Sequence, residues 1–145
     1  MAITTSAVCN SFKNQLLSGT HNFTQTTGNK FNLALYTNSA TIGKSTTDYL
    51  TSGETSGTNY TAGGKKLAVA SQLVTLESDT ACVDFANVSW QTATITARGA
   101  LIYNTSSSDK AVCVLDFGGD KTSTAGTFTI QFPAATDTQA ILRIA

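Results

Sequence analysis

Few residues in this chain have side chains that could carry chemistry, and their spacing joins none of them into a reactive set. The single histidine is His21, and the three cysteines are Cys9, Cys82 and Cys113. A zinc site takes four such ligands, commonly from Cys-x-x-Cys or paired histidines, and no such spacing exists here. The cysteines are expected as small buried apolar side chains, most clearly Cys82 and Cys113, which sit inside strand patterns. Unpaired thiols in odd number fit synthesis in a reducing cytoplasm. No motif ties His21 to a serine and an aspartate as a triad; after Gly19-Thr20 it stands where a histidine favours a helix C-terminus. Asp84 and Asp116 fall within strands, and nothing in the sequence places them across a cleft as a hydrolase pair would require. Gly63-Gly64-Lys65-Lys66 superficially suggests a phosphate loop, but it lacks the glycine spacing and the hydroxyl residue after the lysine. It reads as a turn into a strand. The chain is therefore expected not to be an enzyme, with no catalytic residues, no metal and no cofactor.

Composition points to a surface. Lys plus Arg and Asp plus Glu both number 9, so the formal charge is zero, and charged residues make up only 12% of 145 residues. Nucleic acid demands a positive footprint, so it is not an expected partner. Ser and Thr fill the space left by charge, at roughly a quarter of the chain, far above the usual share. Threonine is β-branched and suits a half-exposed strand. No stretch has the length of a membrane-spanning helix, and Met1-Ala2-Ile3-Thr4-Thr5 carries no basic segment of the secretory kind. Neither membrane nor export is expected.

The elements that must position any site are mostly strands. Phe128, Ile130 and Phe132 alternate with Thr127, Thr129 and Gln131, so one face of that strand is apolar. Ala111–Phe117 is apolar on both faces, as a strand between two layers would be. Further strands are expected at 30–37, 66–70, 72–77, 81–85, 92–97, 100–103, 110–117, 127–132 and 140–144. Turn residues separate most of them, notably Glu77-Ser78-Asp79, Asn104–Asp109 and Gly118-Gly119-Asp120. The inward parity changes near Ala86-Asn87, which suggests a bend or bulge, and Pro133 closes its strand. One helix is expected over about 6–18, capped by Ser6, with Val8, Cys9, Phe12 and Leu16 as its apolar stripe. Together these predict a mainly-β single domain over 1–145, an antiparallel β-sandwich or jelly-roll-like fold with one short N-terminal helix.

Asn38–Gly64 is a long polar region with five glycines and few apolar anchors. Such a loop in a compact domain is functional, mobile or ordered from outside. Its anchors would be Ile42, Tyr49, Leu50 and Tyr60, which are candidates for contact with a neighbouring chain. An excursion across the sandwich edge is the plainer alternative. Arg98, beside Gly99, either bridges a subunit contact or pairs with Asp84 or Asp116. Trp90, Tyr103, Tyr49 and Tyr60 could stack on sugars, although the strand positions of Trp90 and Tyr103 favour core or corner packing.

Several segments resemble a group of small virion proteins encoded among the structural genes of tailed bacteriophages. They are Asn10-Ser11-Phe12-Lys13 with Leu16-Leu17-Ser18-Gly19-Thr20-His21, Phe31–Thr37, Tyr60-Thr61-Ala62-Gly63-Gly64, Thr96–Asn104, Ala111–Gly118, and Gln131-Phe132-Pro133 through Ile144. The resemblance implies a capsid decoration (cement) protein or, alternatively, a tail or fibre component that could bind the host. It carries no catalytic residues. The expected partners are the major capsid protein and further copies of the chain, as a dimer or trimer. The expected location is the capsid surface of the virion, after assembly in the host cytoplasm.

Overall fold

A computed structural model describes residues 3–145, without the side chains of Ala70 and Ser71; Met1 and Ala2, at the start of the expected domain, lie outside the described residues. The fold is mainly β, two antiparallel sheets with one short helix, in keeping with a β-sandwich. In chain order the elements are β1 (Ala7–Val8), α1 (Asn10–Leu17), β2 (Phe31–Tyr36), β3 (Lys65–Lys66), β4 (Val69–Glu77), β5 (Thr80–Phe85), β6 (Val88–Asn104), β7 (Lys110–Ile130) and β8 (Leu142–Ile144). The larger sheet runs β1-β7-β6-β2-β3 and the smaller β4-β5-β8.

The centre of the larger sheet is the C-terminal half of β6, between β2 and the N-terminal part of β7. Phe31 faces Asn104 and Tyr36 faces Gly99 across β2 and β6. Of the run 111–117 expected to be covered on both faces, Ala111, Val112, Cys113 and Val114 are buried, while Leu115, Asp116 and Phe117 are half-buried. A chain of phenylalanines links this sheet to the smaller one. Phe23 stacks on Phe31 at 4.6 Å, Phe31 meets Phe85 at 5.9 Å, and Phe85 meets Phe132 at 5.9 Å. Residues of both sheets belong to one apolar cluster.

β6 and β7 form one long hairpin, of 17 and 21 residues. Four register shifts interrupt it. Between the pairs Gly99↔Asp116 and Ala97↔Lys121, β7 gains three residues over β6, so Phe117–Asp120 bulges out of the ladder. Extra residues on one strand sharpen its twist and bend it, and here they carry the distal half of the hairpin, 88–97 with 121–130, away from the centre. Gly99 is fixed by packing, since a Cβ there would overlap Leu115 O and the buried Ile3 side chain.

Three expectations are corrected. The helix does not begin after Ser6: Ala7–Val8 pairs with Val114–Cys113 as a short strand, and α1 starts at Asn10 with Cys9 as its N-cap. Val8 therefore belongs to a strand, and Ser6 does not cap the helix; its Oγ accepts from Asp116 N at 2.8 Å. The strands expected at 92–97 and 100–103 are one strand, β6, as are those at 110–117 and 127–132, apart from Gln131 and Phe132. Gly118-Gly119-Asp120 is the bulge and not a turn. Near Ala86-Asn87 the parity change marks the passage between the two sheets, where Asn87 Oδ1 accepts from Phe132 N at 2.9 Å.

Candidate interaction surfaces

The residues with chemical potential are spent on structure. His21 is buried between two amides: Nε2 donates to Gln15 Oε1 and Nδ1 accepts from Asn104 Nδ2, both at 2.9 Å. The orientation of Asn104 is fixed, because its amide also donates to Asn29 Oδ1 and its oxygen accepts from Ser106 N. Those partners demand the neutral imidazole with its proton on Nε2, and burial pulls its pKa below 6.5. All three cysteines are free and buried; burial pushes the Cys9 thiol up to about 11 and raises that of Cys113 as well. Among the described residues, no cluster of three or more His, Cys, Asp and Glu could hold a metal ion.

Tyr36, Tyr49, Tyr60 and Tyr103 are the chain's four tyrosines, and they converge where Asn38–Gly64 meets the sheet. Glu54 is the hub. Its carboxylate accepts from Tyr49 OH at 2.6 Å, Tyr60 OH at 2.7 Å and Gly63 N at 2.7 Å. Tyr60 OH accepts in turn from Leu35 N at 2.9 Å. Tyr36 OH donates to Leu50 O and Tyr103 OH to Gly63 O, while Tyr49 stacks on Tyr103 with centroids 4.8 Å apart. Burial, then the Glu54 charge, raises the phenol pKa of Tyr36; burial and the hydrogen bond to Glu54 raise those of Tyr49 and Tyr60. Further along, Asn59 Nδ2 donates to Thr92 O at 2.8 Å, gripping the bulge where Thr92 adopts φ 49°. The ion pair Lys110–Asp48, 2.7 Å, holds the other side of the segment and keeps Asp48 below its usual pKa. Gly64, at φ +75°, lies so close to Leu33 O that any side chain would clash.

The segment is thus held from within the chain. The reading of the segment as poorly anchored missed Glu54, which gathers Tyr49, Tyr60 and Gly63 within the loop and reaches β2 through Tyr60 OH and Leu35 N. Ile42, Tyr49 and Leu50 nevertheless line an open groove of about 680 Å³ together with Thr4 and Thr5, Ile42 buried and Tyr49 and Leu50 half-buried. Tyr60 is turned inward against Trp90, 5.8 Å away, and does not join them. Arg98 lies elsewhere, on β6, where its Nε donates to Asp116 Oδ1 at 3.2 Å. The pairing with Asp116, one of the roles open to Arg98, is formed.

That ion pair borders a second groove, about 520 Å³, along the distal half of β7. Leu115, Phe117, Phe128 and Ile130 give it an apolar floor, and Thr122 and Thr129 a hydroxyl rim. No strand among those described pairs with the outer side of Lys121–Ile130, since β1 reaches only Cys113 and Val114. Ser89–Thr129 and Thr96–Thr122 hydroxyl pairs, 2.8 and 3.0 Å, order the adjoining face. Such a free edge presents unpaired backbone donors and acceptors to any extended segment that lies beside it. Sequence reasoning missed it, because Gly118-Gly119 hid the continuation of β7. Against this geometry, no protein family, no curated protein and no solved structure matches the chain.

Proposed function

We propose that this chain is a phage capsid decoration protein, which binds the outer shell and holds neighbouring major capsid subunits together. The observation that carries the reading is the free edge of β7 over Lys121–Ile130, with its apolar floor and hydroxyl rim. An extended arm of a shell subunit laid along it would gain ladder hydrogen bonds, and its apolar side chains would enter the groove over Phe117 and Phe128. The phage resemblance supplies the class of partner. A near-neutral, Ser- and Thr-rich surface suits dense packing of many copies without mutual repulsion. Binding only the assembled shell, each copy stabilises that state by mass action, and the small gain per copy repeats over the lattice.

The test is a particle prepared without this chain. Such shells should have normal geometry and burst at lower temperature, and adding purified chain back should restore the wild-type value. Unchanged burst temperature with lost adsorption to host cells would replace this reading with the tail or fibre one.

A further inference from the structure

His21 closes a buried contact between separate parts of the chain, and its proton count decides whether that contact can close. Asn29 Oδ1 accepts from Asn22 N at 2.9 Å, so it is the oxygen of that amide that meets Asn104 Nδ2. Asn104 Oδ1 in turn accepts from Ser106 N at 3.0 Å. Two backbone donors thus settle which way Asn104 lies, and it turns its NH2 toward His21 Nδ1, 2.9 Å away. The neutral ring accepts there and donates from Nε2 to Gln15 Oε1. A second proton, on Nδ1, would set donor against donor. Asn104 could turn to receive it only by losing Asn29 and Ser106. The imidazolium would also lie buried with no carboxylate among its partners. Around it, Lys13 on α1 and Asp109 on the turn after β6 are exposed, Lys110 pairs with Asp48, and Lys30 Nζ donates to Thr26 O. Burial keeps the thiols of Cys9, at the start of α1, and Cys113, on β7, protonated.

We propose that His21 is a proton-operated latch on the end of α1: neutral, it ties residues 15–21 to β6, and protonated, it leaves its seat and releases them. The segment has little else to hold it. Phe12 is the buried anchor of α1, while Asn14, Leu17, Ser18 and Gly19 are exposed and Leu16 is half-buried. Eight residues make too short a helix to persist on its own hydrogen bonds. Its last turn is closed by Ser18 N, Gly19 N and Thr20 N on the carbonyls of Asn14, Leu16 and Gln15. Ser107 Oγ adds a neutral bond to Thr20 O at 3.0 Å. Segments held by few buried contacts are the ones that open locally, at less cost than global unfolding. Burial holds the ring's pKa below the ordinary 6.5, so the open form takes up the proton first. The tie is therefore complete above about pH 6.5 and is lost as pH falls through the lowered folded value. Leu16 and Leu17 line a groove of about 520 Å³ with Val74, Val83, Leu142 and Ile144 of the smaller sheet, so the release alters that groove as well. The inference does not rest on the capsid reading, and its test uses no particle.

The experiment is amide hydrogen exchange by NMR on the purified chain, with rates referred to those of an unstructured peptide at each pH. It runs from about pH 7.5 to about 5.5, above the range where free carboxylates titrate. Protection at Ser18, Gly19 and Thr20 should fall by up to about tenfold per pH unit below about pH 6.5, while β2 and β6 keep theirs. His21→Gln should remove that dependence. Asn104→Asp should reverse it, because a carboxylate facing Nδ1 raises the folded pKa above the unfolded one. Protection is then full at low pH and falls as pH rises through the raised value. A histidine that merely fills space gives no such reversal. If Asn104→Asp does not fold, Gln15→Glu supplies the second reading, since a carboxylate on Nε2 favours the imidazolium and should shrink the loss in acid. Protection that stays flat with pH in wild type overturns the proposal. So does a loss that His21→Gln reproduces, one spread equally over β2 and β6, or a folded Asn104→Asp variant without the reversal.

Discussion

Glu54 shows how much one carboxylate can organise. It accepts from two phenols and one amide, and each donor would be left short of a partner without it. Glu54→Ala should cost about 2–3 kcal/mol, the usual penalty for stranding several partly buried donors. Glu54→Gln should cost about 1 kcal/mol, because the amide oxygen keeps one set of partners and Tyr49 OH can turn to accept. Equal losses in the two variants, read by chemical denaturation, would show that the carboxylate oxygens are not what holds the segment. His21 gives a pH signature. Its folded pKa lies below the ordinary 6.5, so the unfolded chain takes up the proton first. Its contribution is complete above about pH 6.5 and is lost as pH falls through the lowered folded value. It is the only histidine, and free carboxylates titrate near pH 4. Melting temperature should therefore fall as pH drops below about 6.5, before the carboxylates titrate, and His21→Gln should flatten that stretch. A wild-type profile flat over the same range would mean that Asn104 reorients to accept the second proton. None of this was legible in the sequence, since four scattered tyrosines and one of nine acidic residues carry no spacing that foretells a shared site.

Among the elements, what was legible was set by local pattern and what was missed was set by long-range pairing. Phe31–Tyr36 and Thr80–Phe85 alternate or run apolar between clear turn signals, and they are strands close to their expected bounds. Ser6 preceding Val8, Phe12 and Leu16 had the local form of a capped helix, but Val8 found Cys113 on β7 and the helix begins one turn later. Gly118-Gly119-Asp120 has the composition of a turn. The ladder resumes beyond it because Lys121 and Thr122 pair with Ala97 and Thr96, residues far off in sequence. The shortened α1 keeps one deep anchor. Phe12 is buried beside His21, ring centroids 4.8 Å apart, and meets Phe23 edge-on at 6.1 Å. Phe12→Ala should cost about 3–5 kcal/mol, as for other buried aromatics cut to alanine. Leu17→Ala, one turn on and facing solvent, should change the stability of the monomer by less than about 0.5 kcal/mol. A small loss at Phe12, measured by denaturant titration, would mean that α1 is not docked on β7 in solution.

At the scale of the molecule, two open faces are built from different residues. The distal β7 groove uses Leu115, Phe117, Phe128 and Ile130, while the outward apolar face of β4-β5-β8 has Leu17, Val74 and Ile144 in the groove beside α1 and the exposed Leu76 in register with Ala81. Substituting one set leaves the other intact, so their contributions to shell binding can be separated. Each copy seats its β7 edge on a contact that the lattice repeats, so occupancy follows the affinity of that edge. Leu76→Asp, on the other face, takes nothing from the edge and should leave binding to shells unchanged. Thr127→Pro, which places a ring and a missing N–H on the strand beside the groove, should lower occupancy itself. Arg98→Ala should act more weakly than Thr127→Pro, since its guanidinium already pairs with Asp116 within the chain. Quantitative binding to undecorated shells distinguishes these effects. If Leu76→Asp abolishes binding outright and Thr127→Pro leaves it unchanged, the apolar face, and not the β7 edge, is what meets the shell.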